Sequence, residues 1–249
     1  MKRIIRSLVV INVLIFIAAC GSDQTEKATT AKEMYEKAVK YYNDEDYMEA
    51  EKLFDAVRLQ YTASQYSDDA QYYIAEINFK RYEYILSAFN YNRLRSQYPG
   101  SDYTQSALYK EALSYYELSP TYHRDQKYTR KAIDAFKEFK YLYPDNDSLV
   151  NKSNIRINEL RAKLAKKDYS IAELYMNMDD PRAALVYFDQ VINKYDDTKY
   201  YQDAFYGKIK ALIKMKKFQE ARSIIRSYKS DFPGGEYIRD VKDLENEHF

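Results

Sequence analysis

Apolar and small residues recur along the chain at helical spacing, and the pattern itself repeats. The segment Met34-Tyr35-Glu36-Lys37-Ala38 is amphipathic, and its Ala38 has counterparts at Ala75 and Ala112, each 37 residues further on. Twelve residues after Ala38 and Ala75 come Ala50 and Ser87, which open pairs with Phe54 and Tyr91 four positions later, one helical turn away. The same pair recurs as Ala132 with Phe136, Ala184 with Phe188, and Ala221 with Ile225. Eleven residues after each of these small residues lies an aromatic: Tyr61, Tyr98, Tyr143, Tyr195 and Phe232. Pro99, Pro144 and Pro233 follow three of them, where a helix has to stop. The pattern predicts five helical hairpins in tandem.

The spacing resembles, in degenerate form, the signature of tetratricopeptide (TPR) repeats. The fold expected is therefore all-α, a right-handed solenoid of about five TPR-like hairpins. Two insertions break the period. From Ala112 to Ala132 is 20 residues where the first two repeats have 12, so the third hairpin carries a longer loop, Leu118 to Lys127. From Ala132 to Ala184 is 52 residues. The surplus falls in Ser148 to Lys166, where Leu149, Ile155, Leu160 and Leu164 predict about four extra turns of helix feeding the fourth repeat. This divides the expected solenoid into residues 31–147, with repeats one to three, and residues 148–249, with the long linking helix, repeats four and five, and a polar capping tail from Glu236 to Phe249.

The amino terminus reads as an address. Lys2, Arg3 and Arg6 precede an apolar run from Leu8 to Ala19, which is too short to span a bilayer. Ile17-Ala18-Ala19-Cys20-Gly21 resembles a bacterial lipobox, with residues 1–19 as the signal peptide and Cys20 as the acylated residue. Gly21 and Ser22 follow without the aspartate that retains many lipoproteins in the inner membrane, which points to the outer membrane. Residues 20–30 are polar and read as a lipidated tether.

Composition narrows the function classes. With 5 Gly and 5 Pro in 249 residues there is little room for tight turns, which favours helices. Losing residues 1–19 turns the formal charge from +1 to −2, and no basic stripe points to nucleic acid. One cysteine excludes an internal disulfide framework and a thiolate zinc site, and His123 and His248 lie far apart. No glycine-rich phosphate loop, G-x-S-x-G or paired metal ligands occur, so neither an enzyme nor a cofactor site is expected. His123-Arg124-Asp125 is a polar cluster without a nucleophile near in sequence. Its expected role is to pin the long loop through ion pairs or helix-end hydrogen bonds.

Tyrosine is the anomaly, with 29 residues and no Trp. Taking Ala38, Ala75, Ala112, Ala172 and Ile209 as equivalent, the residue three before each is Tyr35, Tyr72, Tyr109, Tyr169 and Tyr206. Four after come Tyr42, Phe79, Tyr116, Met176 and Ile213, on the same helical face. In TPR proteins the first-helix position faces the concave groove, so the resemblance implies a peptide-binding wall of Tyr35, Tyr42, Tyr72, Phe79, Tyr109 and Tyr116. The equal alternative is that these rings pack between neighbouring hairpins.

Taken together, the lipobox, five TPR-like repeats, the long loop in the third and the long helix before the fourth resemble the BamD (YfiO-like) family of outer-membrane assembly lipoproteins. Local matches are Gln65-Tyr66-Ser67, Arg124-Asp125, Leu164-Ala165-Lys166, and Tyr169-Ser170-Ile171-Ala172-Glu173-Leu174-Tyr175, while Pro181 and Tyr187 depart from the family's pattern. The resemblance implies a scaffold that binds unfolded outer membrane proteins through its amino-terminal repeats. Its carboxyl-terminal repeats would hold a BamA-like barrel protein and other machine subunits, with Arg124, Asp125, Tyr169, Glu173 and Tyr175 as contact candidates. The competing class is another TPR envelope lipoprotein, serving pilus or secretion assembly or recruiting peptidoglycan enzymes.

Overall fold

The computed structural model describes residues 30–249; the expected signal peptide, Cys20 and all but the last residue of the expected tether lie outside them. Among the described residues there are eleven helices and no strand. They are α1 (Ala31–Asn43), α2 (Tyr47–Gln60), α3 (Ser67–Lys80), α4 (Tyr84–Gln97), α5 (Thr104–Glu117) and α6 (Lys127–Leu142). There follow α7 (Asp147–Asn177), α8 (Pro181–Lys194), α9 (Tyr200–Lys214), α10 (Phe218–Asp231) and α11 (Ile238–His248). Each packs mainly on the helix before and the helix after it, which makes a solenoid of five hairpins closed by α11.

The helix starts follow local chemistry. Thr30 and Glu33 form a reciprocal capping box on α1, with Glu33 N–H donating to Thr30 Oγ1 at 3.2 Å and Thr30 N–H to Glu33 Oε2 at 2.9 Å. Asp46, Asn146 and Asp180 cap α2, α7 and α8 through their side chains. Pro181, one of the two departures from the family pattern, is the first residue of α8, where its missing N–H costs nothing. The closing aromatics Tyr61, Tyr98, Tyr143, Tyr195 and Phe232 all sit just past a second helix, with φ between −124° and −134°.

Four of the five hairpin turns are the same turn. Glu45, Tyr82, Asp179 and Lys216 have φ of 58° to 62°, and they occupy one register position. In each, that residue's N–H and the next return to carbonyls of the first helix, as when Glu45 N–H donates to Tyr42 O and Asp46 N–H to Tyr41 O. This left-handed cap is usually glycine, and other residues pay about 1–2 kcal/mol for it. Its use here without glycine is how 249 residues with 5 Gly turn so often. The third hairpin lacks it and uses the longer loop between α5 and α6, whose Gln126 is fully buried and donates to Thr121 O and Arg124 O.

The core is a string of clusters rather than one centre. Ala38, Ala75, Ala112, Ala172 and Ile209, and their second-helix partners Ala50, Ser87, Ala132, Ala184 and Ala221, are all fully buried. Ser87 is satisfied there by donating to Ala75 O at 3.1 Å. α7 is one unbroken helix of 31 residues that serves two neighbours. Its Ile157, Leu160 and Leu164 join Ala132, Ile133 and Phe136, while its Ala165 and Ala172 join Ala184 and Phe188. Arg161 ties it to the loop after α8, with two 2.6 Å bonds to Asp197 and one of 2.7 Å to Lys194 O.

Gly207 on α9 exists to admit the Phe188 ring, because a Cβ there would overlap that ring. Gly207→Ala should therefore destabilise the protein by about 1–3 kcal/mol despite its better helix propensity. Denaturant unfolding checks this. A stability equal to or above the parent's would show that the ring has room to move.

Candidate functional site

The five register tyrosines all lie half-buried on first helices, and four of them do the same thing. Tyr35 stacks on Tyr66 (ring centroids 5.0 Å), Tyr72 on Tyr103 (4.2 Å), and Tyr206 on Tyr237 (4.6 Å). Tyr169 meets Tyr200 at 5.7 Å with a larger tilt. In every case the partner lies 31 residues further on, at the entrance to the next first helix or to α11. These pairs are staples between successive hairpins, each contributing about 0.5–1.5 kcal/mol beyond the area buried. The partner row Tyr66, Tyr103, Tyr200 and Tyr237 was not singled out from the sequence, although its own 37-residue spacings were there to find. Tyr73 was missed too. It lies parallel to Phe54 at 4.9 Å and meets the edges of Tyr35 and Tyr42.

Burial and neighbouring carboxylates set the electrostatics of this wall. Tyr42 and Tyr72, chiefly by burial, and Tyr103, by burial and then Asp69, have hydroxyls pushed up to about 12 from an ordinary 10.0. Tyr35, Tyr169 and Tyr237 are raised further for the same leading reason. Tyr72 also shares a 3.0 Å hydrogen bond with Ser106, and Tyr237 donates to Asp203 at 2.8 Å. The fully buried Tyr91 hydroxyl donates to Glu76, which Lys110 also contacts.

The third hairpin differs. Its Tyr109 has no partner at the 31-residue position and rests edge-on against Phe136 and Phe139 at 5.8 and 5.4 Å. The first turns of α7 stand where the next hairpin would be. Tyr109, Lys152, Ile155, Arg156 and Glu159 line an open cleft of about 340 Å³. Ile155 is exposed, Arg156 bonds Glu159 at 3.1 Å, and Lys152 has no ion-pair partner among the described residues. Tyr116 shares this wall, donating to Glu159 Oε2 and accepting from Arg156, both at 2.8 Å, with the Arg156 guanidinium 4.4 Å from its ring. The cleft thus offers a ring, an aliphatic side chain, an Arg156–Glu159 ion pair and the cation of Lys152, unpaired among the described residues.

The remaining candidates are scattered by the structure. Phe79 meets Tyr84 at 5.2 Å, and Tyr42 meets Tyr73 and Tyr47. In the long loop Asp125 accepts from Lys127 N–H at 2.8 Å at the start of α6, the helix-end role read from the sequence. Arg124 takes part through its backbone, its N–H donating to Thr121 O at 3.1 Å and its carbonyl accepting from Lys167 and Gln126, and its side chain is exposed. Tyr169 donates to the exposed Glu173 at 3.0 Å; with Lys210 and the edge of Phe188 they line a second cleft of about 200 Å³. Tyr175 stacks on Tyr187, the other departure from the family pattern, at 5.7 Å. No helix among the described residues is long and apolar enough to cross a membrane.

Fold and surface together define an all-helical protein of tandem TPR-like hairpins. The profile of the YfiO family, described as outer membrane lipoprotein, matches residues 27–217, and the chain belongs to that family. It is similar to proteins named outer membrane protein assembly factor BamD. The one from Rickettsia prowazekii is 21% identical over 99% of both chains, and the one from Neisseria meningitidis serogroup B is 24% identical over 96% of this chain and 94% of that protein. The Caulobacter vibrioides relative is 25% identical over 80% of this chain, which spans 65% of its length. Among solved structures, a tetratricopeptide repeat protein from Parabacteroides merdae aligns over 80% of this chain and 79% of its own, with 14% identity and a TM-score of 0.40.

The raised hydroxyls carry a pH prediction. A tyrosine whose folded pKa exceeds its unfolded value near 10 adds stability that is complete below pH 10 and is lost as pH climbs towards 12 and beyond. Denaturant midpoints should fall over that window, with part of the tyrosinate absorbance appearing only on unfolding. Ordinary titration of all tyrosines near 10 with the fold intact would contradict the burial argument.

Proposed function

We propose that the protein is a lipid-anchored, periplasm-facing scaffold of the outer-membrane β-barrel assembly machinery, which receives unfolded barrel proteins and holds a BamA-like partner. Family membership and relatives named as assembly factors support the setting. Acyl chains on Cys20 would supply the anchor, since several chains at about 0.8 kcal/mol per buried methylene hold a protein stably where one does not. Residues 31–147 would take the client and residues 148–249 the machine, with exposed Arg124 and Glu173 available for that second contact.

The observation that carries the client reading is the break in the tyrosine staple at hairpin three. Elsewhere the register tyrosine packs on a ring 31 residues further on, whereas Tyr109 has no such partner and lines an open cleft beside Lys152, Ile155, Arg156 and Glu159. A peptide ending in an aromatic residue and a free carboxylate matches it, ring against Tyr109 and Ile155, carboxylate towards Lys152. Such an anchor in a rigid cleft is worth about 2 kcal/mol or more.

Tyr109→Ala should weaken binding of a barrel-derived carboxyl-terminal peptide roughly 30-fold, at about 1.4 kcal/mol per decade, and amidating the peptide should mimic Lys152→Glu. Tyr72→Ala, by contrast, should lower thermal stability and leave affinity of the folded fraction unchanged. Fluorescence anisotropy reads both; unaltered affinity in Tyr109→Ala would remove the cleft from consideration. Cys20→Ala should leave a folded chain that no longer sediments with membranes, and retention after a high-salt wash would count against lipid anchoring.

A further inference from the structure

The repeats serve as their own control for what the solvent-facing side of a second helix should look like. At the four outward positions of the second hairpin stand Tyr82, Ile85, Leu86 and Phe89, exposed by 78%, 58%, 51% and 59%. The same register positions hold Glu45, Met48, Glu49 and Lys52 in the first hairpin, and Lys216, Gln219, Glu220 and Ser223 in the last. Single exposed apolar residues such as Met48 or Val186 are ordinary, but four contiguous ones are not. The opposite face of α4 carries the buried Ala88, Tyr91 and Leu94, so this helix is apolar on both sides. Tyr82 is also the left-handed turn residue, with φ 62°, where a bulky aromatic is the least suited choice. Neither folding nor solubility asks for these four side chains.

We propose that this face of α4 docks on the lipid surface, as a second, reversible membrane contact beside the acyl anchor. The inference rests on the reading of Cys20 as that anchor. Ten residues, Gly21 to Thr30, then join lipid to α1, a chain that reaches at most about 35 Å. The patch lies one helix length from Thr30, about 20 Å for 13 residues, and two to three helix spacings of about 10 Å sideways, a separation comparable to the tether's full reach. Aromatic and branched aliphatic side chains beside cations are the mixture that settles at a headgroup boundary. Lys80 is exposed without an ion-pair partner among the described residues, while Arg81 beside the patch is shared between Glu83 at 2.9 Å and Glu51 at 2.8 Å. A weak face held this close to lipid gains effective concentration from the tether.

Cys20 is the chain's one cysteine and its thiol is consumed by acylation on this reading, so an introduced cysteine takes a label uniquely. The test places an environment-sensitive fluorophore on Phe89→Cys or Ser223→Cys of the lipidated full-length chain. Vesicles contain phosphatidylethanolamine and phosphatidylglycerol with a nitroxide-bearing lipid. Quenching at position 89 should exceed that at position 223 several-fold, and adding Ile85→Glu with Leu86→Glu should abolish the excess while thermal unfolding stays unchanged. A chain that floats with the vesicles but is quenched equally at the two positions overturns the proposal and leaves the anchor standing. So does a blue shift at position 89 that grows with protein density without nitroxide quenching, which would mark contact with a second copy. A chain that does not float removes the anchor, and the proposal with it.

Discussion

Everything in this molecule depends on how one hairpin is fastened to the next. A two-helix unit buries one face against its neighbour and cannot be stable alone, so the interface repeated along the axis carries the fold. Here that interface is two rows of tyrosine, one on the first helix of each repeat and one 31 residues later at the entrance to the next, as in Tyr72 on Tyr103 and Tyr206 on Tyr237. Tyrosine suits the place because the ring fills apolar space while the hydroxyl stays at the rim, where Tyr72 finds Ser106 and Tyr237 finds Asp203. Eight of the chain's 29 tyrosines form these two rows.

The period was legible because it is written in residue types with little choice. Only small residues fit where helices cross closely, and Ala38, Ala75, Ala112, Ala172, Ala184 and Ala221 are fully buried for that reason. The turns were not legible, since their left-handed residues are Glu45, Tyr82, Asp179 and Lys216, none of which announces a positive φ. The first tyrosine row could be read and its contacts could not. Spacing says which residues share a helical face but not which ring of the next repeat leans back onto it. For that reason spacing leaves groove wall and inter-repeat packing as equal readings of Tyr35, Tyr72 and Tyr169, and the structure adds the packing partners Tyr66, Tyr103 and Tyr200.

The 15 surplus residues before the fourth repeat matter because they interrupt the fastening. α7 has to close repeat three with its first half and open repeat four with its second, so its first turns meet Tyr109 and Tyr116 with Lys152, Ile155 and Arg156 in place of a second tyrosine. An insertion that only lengthened the solenoid would be a flaw in a regular stack. This one is tied down near its middle, by the Tyr116, Arg156 and Glu159 network and, within the next turn, by Arg161 on Asp197 and Lys194 O. Bidentate and shared charge-assisted bonds of this kind fix orientation as much as they add energy. The opening beside Tyr109 therefore lies against a stretch of α7 that is fixed in place.

The same logic separates two kinds of surface on this chain. First helices spend most of their register tyrosines on fastening, and the cleft beside Tyr109 opens where that fastening is interrupted. Second helices face water and are free to vary without disturbing the stack, as the change from Lys52 to Phe89 to Ser223 at one register position shows. A repeat protein can thus acquire a groove by breaking its period and a face by recolouring one helix. In this chain the two departures fall on adjoining hairpins, with the altered face on α4 and the altered groove between α5 and α7. α4 packs directly on α5. Whatever holds the outer face of α4 in place therefore also fixes where the mouth of the Tyr109 cleft points.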